Sequence, residues 1–525
     1  MTTHRSQPGV GPTSQPRPRA GAAVSSAGSF AGARVALTAM TALTVLSLAS
    51  LAGCANNPAA QAPADQRLQQ AAVPATLPVG AGAPADTAPL AWRAWVQAPL
   101  LVQWVTLALQ NNRDLRVALL NVQRAQAQLT VADASRLPTL GAGVSAARAP
   151  NFKGAEATTL TAGLQVSTWE LDLFGRLASL SEAARAQLLS TEAGRQAAEL
   201  SLVAAVVQAG LALQADTELL ALARQSQDSR EQTLKLTQLR ESVGAASQLE
   251  LQGQQSLAAQ GRATLAQLAR QQAQDINALA LLLGQPVPES AATSAAASTA
   301  TPAASPGAMP AATPGATPGA TPATGPQLAD ETWLYSVPAG LSSAVLLRRP
   351  DVIAAEQTLR AAQANIAAAR AAFWPTITLT GQAGQASSQL SGLFQGGNFV
   401  YTLAANALIT VFDAGRRQAN VASAEAAQQI AQAQYERSVQ SAFRDTADAL
   451  AGLATWRDQL DAQRVQRDAA RETARLTELK ASQGAASALE RLDAQRALWA
   501  AEQAVLQVRL AELNNRVALY KALGG

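Results

Sequence analysis

Histidine and cysteine are all but missing. Of 525 residues, one is histidine, His4, and one is cysteine, Cys54. A single cysteine excludes a disulfide within the chain. Residues 1–53 read as an export leader, so His4 is removed with them, and the mature chain has neither an imidazole nor a free thiol. That takes away the commonest metal ligands and acid/base catalysts, and no metal, enzymatic activity or small-molecule cofactor is expected. Charge is also scarce, at 14% of residues. The leader holds four arginines (Arg5, Arg17, Arg19, Arg34) and no Asp, Glu or Lys. Since the whole chain is +4, the part from Cys54 onward balances 36 basic against 36 acidic side chains. The basic pI is therefore no sign of a nucleic-acid partner.

What the leader does contain is a basic start, an uncharged run from Val35 to Leu51, and the ending Leu51-Ala52-Gly53-Cys54. This is the layout of an export signal, and its end resembles a lipobox, in which the cysteine is diacylated and N-acylated as the new N-terminus. The alternative is a chance cysteine after an ordinary signal peptide. In lipoproteins of this kind an Asp after the cysteine tends to signal inner-membrane retention. Ala55 stands there, which points to the outer membrane.

The rest of the chain repeats itself. Asp114, Gln126 and Pro138 recur 237 positions on as Asp351, Gln363 and Pro375. Gly175-Arg176, Gly244-Ala245-Ala246-Ser247 and Leu283-Gly284 recur 240 positions on, at Gly415, Gly484 and Leu523. Constant offsets over about 185 residues indicate tandem duplication, with the length change confined to one loop. The expected organisation is a leader over 1–53, an acylated flexible tether over 54–90, copy one over 91–284, a Pro/Ala/Thr-rich disordered linker over 285–330, and copy two over 331–525.

Each copy is expected to run helix, two strands, long helix, shorter helix. In copy one these are 100–136, 138–172, 176–243 and 246–284; in copy two, 340–372, 375–411, 416–483 and 486–523. Trp374-Pro375 ends the first helix of copy two, since proline lacks the next donor and turns its predecessor away from helical angles. The period then switches from seven to two: Ile377, Leu379, Gly381 and Ala383 fall on one face and Thr376, Thr378, Thr380 and Gln382 on the other. A long helix of 68 residues spans about 100 Å at ~1.5 Å per residue, so it needs a side-by-side helical wall. All four strands alternate and carry no charge for about eight to eleven residues, which suits a tilted membrane strand. Alternation alone would equally fit an ordinary half-buried sheet; the exported, acylated N-terminus favours the membrane. Four strands cannot close a barrel, so the subunits must share one, and three copies would give twelve strands.

Arg348-Arg349-Pro350-Asp351 with Phe373-Trp374-Pro375, together with Trp169-Glu170-Leu171-Asp172-Leu173-Phe174-Gly175-Arg176, resemble signatures of the TolC-type outer-membrane factors. The resemblance is greatest to their acylated efflux lipoproteins, the OprM/NodT branch, and covers about residues 90–524. It implies a homotrimer in the outer membrane of a Gram-negative bacterium, with a twelve-stranded β-barrel on a periplasmic α-barrel of coiled-coil helices. It further implies docking on a periplasmic adaptor and an inner-membrane pump of the resistance-nodulation-division class, and passive outward conduction of drugs or other small molecules. A type I protein-secretion duct is the second reading. A coiled-coil periplasmic lipoprotein of the adaptor kind would need lipoyl-like and β-barrel segments that the copies lack, and a hydrolase would need a Gly-x-Ser-x-Gly elbow or paired carboxylates that are not found.

The same resemblance carries two sets of residues. The turns after the long helices are the periplasmic tips that meet the adaptor; they match Arg240, Gly244 and Ser247 in copy one and Lys480, Gly484 and Ser487 in copy two. The bland alternative is a helical hairpin with no partner. The acidic ring that narrows the closed periplasmic end matches Glu490 and Asp493, where the family often has two aspartates. At i and i+3 they share a helix face, and six carboxylates around an axis would favour cations. The alternative is a solvated face with Asp493 paired to Arg491 or Arg496.

Overall fold

The structure, a computed structural model, describes residues 64–74, 91–150, 156–288, 328, 333–335 and 343–525. Cys54 and the leader lie outside the described residues.

Copy one contains α3 (Pro99–Asn111), α4 (Arg113–Ala134), β1 (Leu140–Pro150), β2 (Glu156–Leu171), α5 (Arg176–Ser242) and α6 (Gln248–Leu283). Two short helices come before these in the chain, α1 (Ala64–Gln70) in the expected tether and α2 (Trp92–Trp95) at the start of copy one. Copy two contains a 3-10 turn at Ser343–Arg348, α7 (Pro350–Ala371), β3 (Thr376–Ser387), β4 (Phe399–Leu408), α8 (Arg416–Ser482) and α9 (Ala488–Leu523). The long helices α5 and α8 have 67 residues each, and the return helices α6 and α9 have 36 each. The duplication read from the residues is thus a duplication of structure.

The short helices lie end to end beside the long ones. Asn112 Nδ2, at the start of α4, donates to the Leu282 carbonyl near the end of α6, at 2.9 Å. Arg349 Nη1, at the start of α7, donates in the same way to the Ala522 carbonyl of α9, also at 2.9 Å. Along α5, Ser190 bonds the Ala354 carbonyl of α7, while Thr217 accepts from Gln272 of α6 and Arg230 donates to the Leu257 carbonyl of α6. The strand-side half of the long helix therefore faces α4 and α7, and its other half faces α6 and α9.

Four expectations need correction. The helix expected over 100–136 is two helices. Asn112 leaves the helical angles (φ −61°, ψ 131°) and its Oδ1 accepts the Leu115 N–H at 2.9 Å, which starts a new helix with Asp114 in its first turn. The helix expected from 340 starts at Pro350, because Arg349 is extended and proline suits the first helical position. Within the expected tether, α1 and the residues after it are packed: Ala71 and Val73 are buried with Leu346, Tyr435, Val439 and Leu519. Gln440 Nε2 holds the Ala71 carbonyl at 2.9 Å, and Arg67 meets Glu356 at 3.4 Å. Within the expected linker, Leu328 is fully buried; its N–H donates to Glu218 at 2.6 Å and its carbonyl accepts from Arg509 Nε at 3.1 Å.

The larger core sits at mid-height on α5, around Leu202–Ala215, with α3, the ends of α6 and α9, and the segment at Trp333. Trp95 stacks on Tyr520 with centroids 4.0 Å apart, and Val96 bridges Leu334. Burial pushes the Tyr520 hydroxyl up to about 12, so it stays neutral within that core.

Candidate channel wall and helical turns

The sheet is a four-stranded antiparallel meander in the order β1-β2-β3-β4, so the two copies meet along β2 and β3. Register decides what its faces are. Val144 pairs with Ala162, Leu164 with Ala383, and Ala383 with Tyr401, which lines the apolar positions of all four strands on one side. Val144 is 75% exposed, and Tyr401 and Leu403 are each 77% exposed. The opposite side carries Ser145 hydrogen-bonded to Thr161 at 2.6 Å, Gln165 opposite Gln382, and Thr378 opposite Asn406. An exposed apolar face backed by a polar one reverses the arrangement of a soluble sheet over a core, and it is what a wall between lipid and water requires.

Gly163 and Gly384 pair directly on the polar side. A Cβ at either would strike the other strand's backbone, at the Ala383 or the Ala162 carbonyl. The strands thus approach too closely on that side for any side chain, as in a sheet curled towards its polar face. Between Val166 and Trp169 the register shifts, so β2 carries an extra residue there.

Where strand becomes helix, charged groups weld the corner. Glu170 takes two hydrogen bonds from Arg176, at 2.9 and 2.6 Å, and Asp172 accepts the Ala178 N–H of the first turn of α5. In copy two Asp413 accepts from the N–H groups of Gly415 and Arg417 and from Arg417 Nε. Gly175 and Gly415 occupy positive φ, 74° and 85°, as a sharp strand-to-helix turn needs. Phe174 stacks on Trp374 at 5.3 Å, Trp169 Nε1 donates to the Arg136 carbonyl, and Phe412 is 84% exposed. Such aromatic rings at the end of an apolar wall form an interfacial girdle.

At the far end of the long helices the two turns match. Gly244 and Gly484 have φ of 74° and 73°, and the Ala245 and Ala485 N–H groups close on the carbonyls of Arg240 and Lys480, at 2.7 and 2.8 Å. Ser247 and Ser487 then cap α6 and α9. Around these turns Leu239, Val243, Leu249, Leu479 and Leu489 are exposed, Leu249 by 84%.

Glu490 and Asp493 follow the second turn. The Glu490 carboxylate folds back on Ser487, taking its N–H at 2.7 Å and its hydroxyl at 3.0 Å, while Ser487 Oγ accepts the Glu490 N–H. This capping box holds the Glu490 carboxyl below the usual carboxylate range, chiefly through the Ser487 N–H. Asp493 lies exposed, 3.4 Å from Arg496 Nη1, and Arg491 lies 3.6 Å from Glu478. The capping role was legible in Ser487-Ala488-Leu489-Glu490, a serine followed three residues later by glutamate. Among the described residues no cluster of three or more His, Cys, Asp or Glu is placed to hold a metal.

A lipid-facing sheet continuous with helices of this length defines a TolC-like outer-membrane channel protein, with helices extending from the membrane wall. The chain belongs to the family described as Outer membrane efflux protein, which it matches over residues 104–285 and 341–525. It is 36% identical to the antibiotic efflux pump outer membrane protein ArpC of Pseudomonas putida over 486 residues, 90% of this chain and 93% of that one. With the outer membrane protein OprJ of Pseudomonas aeruginosa it shares 36% identity over 456 residues, 85% of this chain and 87% of that one. The open state of the Neisseria gonorrhoeae MtrE outer membrane channel superposes with a TM-score of 0.71 at 34% identity, covering 86% of this chain and 96% of that one.

Proposed function

We propose that three copies of this chain close one twelve-stranded barrel and form the exit duct of a tripartite efflux system, passively passing drugs or other small molecules to the exterior. One observation carries the reading. Among the described residues the sheet ends in two strands, β1 and β4, each unpaired on its outer edge, although the apolar face suits lipid. Open edges do not survive in hydrocarbon, and four strands are too few to close alone, so β1 of one copy pairs with β4 of the next. Small-molecule cargo is favoured over secreted protein because relatives are named for efflux of antibiotics and of toluene.

In this reading Cys54 carries the N-acyl and diacylglycerol lipid in the outer membrane, and the turns at Arg240–Ser247 and Lys480–Ser487 dock a periplasmic adaptor beneath which a resistance-nodulation-division pump sits. The exposed leucines around both turns support a docking role, since such apolar groups gain by being covered. Glu490 and Asp493 form the periplasmic gate. Replacing both by alanine is expected to raise the conductance of the isolated channel and lower its cation preference; unchanged conductance and selectivity would remove them from the gate.

The test of the whole is the native mass of the detergent-extracted protein with and without boiling. A heat-sensitive trimer supports the shared barrel. A monomer that needs no detergent once the lipid is removed refutes it.

A further inference from the structure

Asp216 of α5 is 92% buried, being 8% exposed, and faces Asp275 of α6. Its Oδ2 has no hydrogen-bond donor. Asp275 Oδ1 accepts from Gln271 of its own helix at 3.1 Å, which leaves one carboxylate turned toward another. Two acceptors cannot bond each other unless a proton or a cation lies between them. Among the described residues the surroundings supply no cation. Helix α3, which packs on this part of α5, carries no charged residue; on α5 itself Glu218 accepts the Leu328 N–H; on α9 Arg509 donates to Glu512 and to the Leu328 carbonyl. The fold does not demand the acid pair. The positions 240 residues on hold Trp456 and Asn515, and Asn515 Nδ2 simply donates to the Ala449 carbonyl at 2.8 Å.

We propose that Asp216 and Asp275 hold one shared proton that latches α6 onto α5, and that its loss to solvent as the medium turns neutral to alkaline loosens this seam of copy one. Burial, then the neighbouring carboxylate, raises Asp216 from 3.8 to about 7. The sign follows: the folded seam keeps a proton that the opened seam has lost, so closure is strongest near pH 4, weakens as pH rises, and levels off above about 7. The latch lies between Thr217–Gln272 and the mid-height core, on the pair of helices that ends in the turn at Gly244.

The experiment is amide hydrogen exchange of the detergent-solubilised full chain from pH 5 to pH 8, read in peptides spanning 209–223 and 268–283 and corrected for intrinsic base catalysis. For the wild type, local opening should grow by up to about tenfold per pH unit to pH 7 and then plateau. Asp216→Asn, which supplies a permanent donor, should flatten the profile, and Asp275→Asn, on the more exposed side, should do the same. Equal slopes in all three proteins would overturn the latch. So would protection at pH 8 restored by magnesium chloride in the wild type alone, which would make the bridging species a cation.

Discussion

Copy one opens its α4 helix on Asn112, and copy two opens the matching α7 on Arg349. Both donate to a carbonyl in the last turn of their own copy's return helix, at the same 2.9 Å. Yet the asparagine answers with one short amide, whereas Arg349 also takes Asp351 at 3.0 and 2.7 Å and lies 3.7 Å from Asp445. The same divergence recurs in the seams, where Asp216 and Asp275 in one copy correspond to Trp456 and Asn515 in the other. It recurs again after the turns, where Glu250 and Gly253 correspond to Glu490 and Asp493. The backbone was duplicated; the buried polar contacts were solved separately. Identical helix lengths with different polar anchors show that the architecture needs a bond at these joints but does not prescribe the residue that makes it.

The comparison breaks most completely where the copies meet. Gly163→Val or Gly384→Val places a side chain against the partner strand's backbone, and the expected result is loss of the proposed trimer on unboiled gels. Next comes the pair of anchors. Arg349→Ala strands a buried carbonyl and removes a charged network, for an expected loss of about 2–4 kcal/mol in denaturant midpoint analysis, while Asn112→Ala should lose about 1–2 kcal/mol. Equal losses would show that the two joints are equivalent after all. Making copy two resemble copy one, Asn515→Asp puts a carboxyl beside the Ala449 carbonyl and should lose about 1–3 kcal/mol near neutral pH. The loss should shrink as pH falls below the carboxyl pKa, because the protonated form regains a donor. The smallest effect concerns the turns. Ser247→Ala and Ser487→Ala should each cost about 0.5–1 kcal/mol of helix stability, measurable by exchange at α6 and α9. The second should also change with acid: Glu490 is held low by Ser487, so its contribution is present above the ordinary glutamate value and fades as pH drops through its depressed pKa.

Much of this was legible in the residues because it depends on local rules. Pro375 stops a helix by its missing donor, and two-residue alternation assigns every strand side chain to a face before any partner strand is known. The observed pairings put Val144, Leu164, Ala383 and Tyr401 on one side, as the alternation required. What escaped were contacts that local chemistry does not encode. The break at Asn112 had a signal, an asparagine followed by Asp114, but it lay inside a run of good helix formers. Ala71 and Val73 lie in a stretch rich in Ala, Pro and Gln, and only the groove beside Tyr435 and Val439 gives them something to bury against. Leu328 at the edge of a proline-rich tract is held by Glu218 and Arg509, more than a hundred positions away in each direction.

By itself the sequence determined the duplication, the order of strands and long helices, and the lipid-compatible face. These follow from periodicity and inventory, which act over a few residues at a time. The tertiary structure alone decided that Arg349 reaches the Ala522 carbonyl, that Asp216 faces a second carboxylate, and that Gly163 meets Gly384 where no Cβ fits. Each of these depends on two side chains or strands being brought within bonding distance, and distance between separated elements is set by packing rather than by any residue's own preference.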